Sequence, residues 1–192
     1  MEIGKTLYVT ERKKWRSWLA KNHNKKRDIW LIYYKKSSGK PRIGYNDAVE
    51  EALCYGWIDS IIKKIDEEKF VQRFSPRRPG SVLSEMNKER LRKLIKQKKM
   101  TSVGLKAVSH AFEKHKQEKF HIAPDILKEI RSNKQTWKNF KGFPESYKRI
   151  RISYIEDIRS RGKKEFRKRL NNFIKMTHKN KKFGFVKEMI GK

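Results

Sequence analysis

A single cysteine, Cys54, rules out any intramolecular disulfide. Long apolar runs are missing as well: no stretch of 18 apolar residues occurs that could form a transmembrane helix. The opening MEIGKTLYVTERKKW has no apolar h-region of a secretory signal. The expectation is a soluble, cytoplasmic protein with no transmembrane segment. Familiar catalytic motifs are absent too: there is no Walker loop, G-x-G-x-x-G, G-x-S-x-G or H-E-x-x-H. His23, His110, His115, His121 and His178 have no ligand spacing with Cys54 or the carboxylates that would suggest zinc. No catalytic residue, metal or cofactor is therefore assigned.

Acid is the other scarcity. Only 21 Asp plus Glu stand against 51 Lys plus Arg, a formal net charge of +30. Such an excess attracts polyanions, whether nucleic acid or an anionic envelope component, although a solvated lysine-rich surface gives the same count. Charge at this level suggests disorder, but five Trp, ten Phe and seven Tyr supply enough large apolar surface for a core. At 192 residues the chain is long enough for one domain with an appendage.

The pattern along the chain predicts an α+β fold: a small, mostly antiparallel sheet with packed helices, followed by a C-terminal helical unit. Thr10 is placed to cap a helix running to about Asn22, with Trp15, Trp18 and Leu19 inward and Arg12, Lys13, Lys14 and Arg16 in water. Ile29 to Tyr34, reading IWLIYY, is too short for an ordinary helix and predicts a central strand covered on both faces. Asn46 is the expected cap of a short helix with Asp47 in its first turn, Ala48 and Ala52 on its apolar face, and Gly56 just past its end. Strands follow from Trp57 and from Phe70, joined through Asp66 to Lys69, and then the loop PRRPGS at residues 76–81.

Helices capped by Ser84 and Thr101 come next, the second with Leu105, Val108 and Phe112 along one line. Pro124 and Pro144 open two more; Trp137, Phe140 and Phe143 pin a further turn or helix between them. Gly162 precedes a last helix lined by Phe166, Leu170 and Phe173. The expected division is an α+β core over 1–121, a helical unit over 122–178, and a basic, frayed tail over 179–192.

Two regions draw attention as sites. Residues 41–75 hold seven acidic and five basic residues, a local net of −2 inside a chain of +30. Asp59 beside Trp57 could be a working acid, but pairing with Arg73 on the returning strand is the favoured expectation. Arg77 and Arg78, held between prolines, either form a rigid platform for phosphate or carboxylate or turn back onto the protein's own acidic patch. Trp57, Asp59, Arg73, Arg77 and Arg78 are thus the candidate binding surface, for a small anion or a protein partner. Cys54, on an apolar helix face with no nearby histidine, is expected to be a buried inert thiol.

The second region is basic. Residues 128–192 hold 21 Lys plus Arg and six Asp plus Glu, a net of +15. Arg159, Arg161, Lys163, Lys164, Arg167, Lys168 and Arg169 crowd one helix and its approach, and form the candidate polyanion surface. Neutralising about six phosphates would give a log–log salt slope near −5. Nothing in this stretch suggests that bases are read.

The residues WRSWLAKNH (15–23), WLIYYKK (30–36), YNDAVEEALCYGWID (45–59) and RFSPRRP (73–79) resemble the YdeI/OmpD-associated, or bacteriocin-protection, family. So do NKER (87–90), MTSVG (100–104), PDIL (124–127) and PESY (144–147), in the family's order along nearly the whole chain. Two positions depart from the family pattern: Leu83 stands where a Trp is usual, and Phe166 where a Thr is usual. The resemblance implies a link to protection from bacteriocins and antimicrobial peptides and to association with an outer-membrane porin, and brings no settled enzyme activity or catalytic residues with it. A non-enzymatic binding protein is the expectation. A protein of charge +30 is ill suited to capturing cationic peptides directly, so the implied route is indirect. Non-specific nucleic-acid binding by the basic C-terminal helices is the alternative.

Overall fold

The computed structural model describes residues 2–113, 120–184 and 186, with backbone alone for 111–113. The side chain of Phe112 and the tail from residue 187 onward lie outside the described residues.

Among these residues the chain forms β1 (Thr6–Leu7), α1 (Arg12–Asn22), β2 (Ile29–Tyr34), α2 (Tyr45–Cys54), β3 (Trp57–Lys64) and β4 (Lys69–Pro76). There follow α3 (Glu85–Lys96), α4 (Ser102–Glu113), α5 (Pro124–Arg131), α6 (Lys134–Gly142), α7 (Glu145–Glu156) and α8 (Lys163–His178). The class is α+β. Two compact units divide the chain: Met1–Val82 with Leu91–Lys116, and Leu83–Arg90 with Gln117–Lys192. Helix α3 gives its first turns to the second unit and its last turns to the first.

The first unit is built on a four-stranded sheet in the order β1-β2-β4-β3. Strand β2 is internal because its unbroken apolar run can be covered on both faces, and its first three residues are all buried. It pairs antiparallel with β4, from Ile29↔Phe74 to Tyr34↔Lys69. The short β1 adds a parallel pair, Thr6↔Trp30 and Leu7↔Leu31, which makes the sheet mixed. Asp66 closes the β3–β4 hairpin by accepting from the Glu68 and Lys69 amides at 2.8 and 2.9 Å.

Two helix starts differ from expectation. The residue before α1 is Glu11 rather than Thr10, and it makes no side-chain cap. Helix α2 begins two residues earlier than expected, with Gly44 as its N-cap and Asn46 already helical. Ser84 and Thr101 do cap, accepting from the Asn87 amide at 3.3 Å and the Gly104 amide at 3.1 Å.

Helices α2 and α4 approach closely in the first unit. Gly56 has a φ of 72°, the left-handed turn that ends α2, and a Cβ there would sit 2.8 Å from the Ala107 Cβ. At Gly104 a Cβ would fall 2.1 Å from the Cys54 carbonyl oxygen, which the Thr101 hydroxyl and amide also engage at 2.5 and 3.2 Å. Only glycine fits at position 104.

The second unit packs α5 to α8 around Ile126, Ile130, Phe140, Tyr147, Ile155 and Phe173. Pro124 occupies the first helical position of α5, and Asn133 caps α6 by accepting from the Thr136 amide at 3.0 Å. Among the described residues no helix is long and apolar enough to cross a membrane.

Gly104→Ala should lower unfolding free energy by about 3 kcal/mol, the upper end of overpacking costs, because backbone rather than a flexible side chain meets the new methyl. Urea denaturation checks this, and an effect below about 0.5 kcal/mol, the level of neutral surface changes, would show that the two helices are not locked at this contact.

Candidate functional site

The acidic stretch of α2 is largely internal. Glu50 is 4 % exposed and Glu51 is 2 % exposed, among Ala48, Val49, Ala52, Leu53 and Cys54. Buried carboxylates persist only when paired and hydrogen-bonded, and the partners come from α1. Arg12 and Arg16 lie one helical turn apart and so share a face. Arg12 Nε donates to Glu51 Oε1 at 2.5 Å, while its Nη1 reaches Asp47 at 2.7 Å and Glu50 at 2.9 Å. Arg16 Nη1 donates to the other Glu51 oxygen at 2.6 Å, and its Nη2 to the Lys99 carbonyl at 3.0 Å. Lys93 lies 3.4 Å from Glu50.

The sequence places Arg12 and Arg16 in water; the structure instead turns them onto the carboxylates of α2, where they supply positive charge to the buried Glu51. Desolvation pulls the Arg12 guanidinium down, yet the hydrogen bonds and charges of Glu51 and Glu50 outweigh it and hold the group above its ordinary value. The Cys54 thiol is fully buried and pushed up, first by desolvation and then by the Glu51 charge, so it stays protonated near neutrality.

The five candidate residues of the hairpin and the loop after it do not share one set of partners. Trp57 is 1 % exposed, donates from its indole nitrogen to the His23 carbonyl at 3.1 Å, and meets Trp18 edge-on. Asp59 does not pair with Arg73. The register sets Asp59 opposite Phe74, so Arg73 projects from the other face of the sheet, while Gln72 shares the face of Asp59. Asp59 Oδ2 accepts from Gln72 Nε2 at 2.7 Å and from the Tyr45 hydroxyl at 2.9 Å. Arg73 pairs instead with Asp28, the residue before β2, at 2.7 Å.

Arg77 holds its own loop, donating from Nη2 to the Ser81 carbonyl at 3.3 Å, the Ser81 hydroxyl at 3.1 Å and the Val82 carbonyl at 3.1 Å. Its buried Nε has no hydrogen-bond partner; desolvation pushes the group down, and the Asp59 charge partly offsets this. Arg78 is exposed. These side chains order the hairpin and the loop after it, and Arg78 is the one of the five left in water.

The basic C-terminal set also divides. Arg159 forks onto Asp125 at 2.9 and 3.1 Å and onto Glu156 at 2.7 and 2.9 Å, with its guanidinium 4.1 Å from the Phe166 ring centre. Arg167 reaches Glu129 at 3.0 Å, and Lys168 and Arg169 lie 4.0 and 3.5 Å from Glu165. Arg161, Lys163 and Lys164 are exposed, and their side chains form no hydrogen bond or ion pair with a described residue. Four of the seven cations therefore have internal acidic partners, because α5, α7 and α8 each carry acid within reach.

Reading the sequence missed Glu50, Glu51, Arg12 and Arg16 as a group. The available signal was the Glu-Glu pair inside the apolar run AVEEALC, which cannot be a solvated face. Among the described residues no group of three or more His, Cys, Asp or Glu could hold a metal ion.

Comparison with known families splits the chain in two. Residues 7–107 match the model of a domain of unknown function (DUF8412), and residues 119–180 match that of the bacteriocin-protection, YdeI or OmpD-associated family. No curated protein and no solved structure matches the chain.

Burial of Cys54 has a pH consequence of definite sign. Because its folded value lies above the unfolded one of about 8.5, the stabilisation is complete below that pH and is lost as pH rises past it. In urea titrations from pH 7 to 10, wild type should therefore lose stability relative to Cys54→Ala; a difference that stays flat or grows with pH would contradict this placement.

Proposed function

We propose, for a chain that belongs to the DUF8412 domain family and matches the bacteriocin-protection, YdeI or OmpD-associated family over residues 119–180, that it is a binding protein contributing to bacteriocin protection through an anionic partner. The carrying observation is the trio Arg161, Lys163 and Lys164, exposed and forming no hydrogen bond or ion pair with a described residue, at the start of α8 and just before it, inside the matched segment. With a net charge of +30 the chain repels cationic peptides, so the partner that fits is an anionic envelope component. Trp57, Asp59, Arg73 and Arg77 serve the fold in this reading, since each is engaged inside the first unit.

Expression in a bacteriocin-sensitive strain should raise tolerance, and Arg161→Gln/Lys163→Gln/Lys164→Gln should remove that gain while circular dichroism stays unchanged. Full protection by the folded triple variant would refute the reading.

Nucleic acid is the second partner that this cationic face suits. With three free cations rather than seven, the log–log salt slope for duplex binding should be about −3, from roughly 0.9 per neutralised phosphate. A salt series by fluorescence anisotropy measures it. A slope steeper than about −5 would mean that Arg159, Arg167 and Arg169 leave their acidic partners to bind.

A further inference from the structure

Arg151 is a buried charge of the second unit with no acidic partner among the described residues. It lies on α7 and is 7 % exposed, yet it makes no hydrogen bond or ion pair with any described residue. Its Nε is fully enclosed and has no partner. A guanidinium taken out of water in this way is expected to be paired or to hold an anion, since each unmet donor carries its full desolvation cost.

The side chain lines a cavity of about 450 Å³ inside the same unit, within the size range of small-molecule sites. Phe183 fixes the guanidinium from one side, its ring centre 3.9 Å away, and Tyr154 lies 5.1 Å away. A second arginine shares the cavity: the Arg169 guanidinium sits 3.9 Å from the Tyr154 ring centre and donates to the Tyr154 carbonyl at 2.8 Å. Glu165, the acidic group of the lining, lies 3.5 Å from Arg169 and 4.0 Å from Lys168 and forms no ion pair with Arg151. Met86 and Ile150 extend the apolar wall.

We infer that this cavity binds a small organic carboxylate with an apolar body, its carboxylate forked on Arg151 and its body against Phe183 and Met86. A planar guanidinium stacked on an aromatic ring presents its N–H edge to a planar acceptor, which suits a carboxylate better than a spherical ion. Apolar walls disfavour a bare inorganic anion, which would lose its hydration without compensating contacts. Desolvation pushes the Arg151 value down, which agrees with a cation that lacks its counter-charge. This site is separate from the cations proposed above for the anionic partner.

The test uses 4-phenylbutyrate, its neutral analogue 4-phenylbutanol, and inorganic phosphate, titrated calorimetrically into the intact protein at about 0.15 M salt, where exposed charges are screened. Phenylbutyrate should bind saturably and at least tenfold more tightly than the alcohol, with phosphate weaker than either. Arg151→Met, of similar shape, should lose that preference while keeping a melting temperature for the ligand-free protein close to wild type, because it gives up ring contacts with Tyr154 and Phe183 but no hydrogen bond or ion pair with a described residue. Equal binding of acid and alcohol by wild type, or tighter binding of phosphate, would overturn the proposal. So would a ligand-free Arg151→Met protein that melts far below wild type, because Arg151 would then serve the fold.

Discussion

Two carboxylates buried under two arginines hold the first unit together. Glu50 and Glu51 could not remain inside α2 without Arg12 and Arg16, and those arginines draw α1 onto the helix that starts the hairpin. From there the consequences run in order. Helix α2 ends at the left-handed Gly56, β3 leaves from Trp57, and α4 seats its Gly104 against the Cys54 carbonyl. Breaking one partner of a buried pair costs about 3–5 kcal/mol. An exposed pair such as Lys14 with Glu11 contributes about 0–1 kcal/mol, so the buried cluster decides the geometry.

The same distinction organises the large positive charge. Most of the 51 basic side chains are a property of the surface, and several on the C-terminal helices are already matched to local acid. Two kinds of cation in the second unit matter for binding. The Arg161, Lys163 and Lys164 group is exposed and suits a broad anionic surface, while Arg151 is enclosed and suits one carboxylate. Exposure separates a screened, salt-sensitive attraction from a specific site.

Much of the fold was legible in local pattern. Strand β2 begins and ends where its apolar run does, and the Gly56 turn, the Asp66 turn and the Pro124 helix start follow from backbone chemistry that needs no partner. Helix caps were less legible: Thr10 and Asn46 have the right chemistry, but the direction in which the chain enters each helix moved the boundary by one or two residues. Strand β1 is only two residues long, and its parallel pairing with β2 leaves no periodicity to read. No shift of composition marks the assignment of residues 83–90 to the second unit. Site contacts depended on register and distant partners. Arg73 faces away from Asp59 because adjacent strand residues alternate, and Arg151 acquires meaning only when Tyr154 and Phe183 are seen around it.

A double-mutant cycle on Arg12→Met and Glu51→Met, followed by urea denaturation, tests the central claim. Arg12→Met should cost about 3 kcal/mol or more, since it leaves the buried Glu51 with Arg16 alone, and Glu51→Met should cost less, since Arg12 keeps Asp47 and Glu50. The double variant should cost less than the sum of the two by at least about 2 kcal/mol. Additive effects of under about 1 kcal/mol each, the behaviour of exposed pairs, would contradict it.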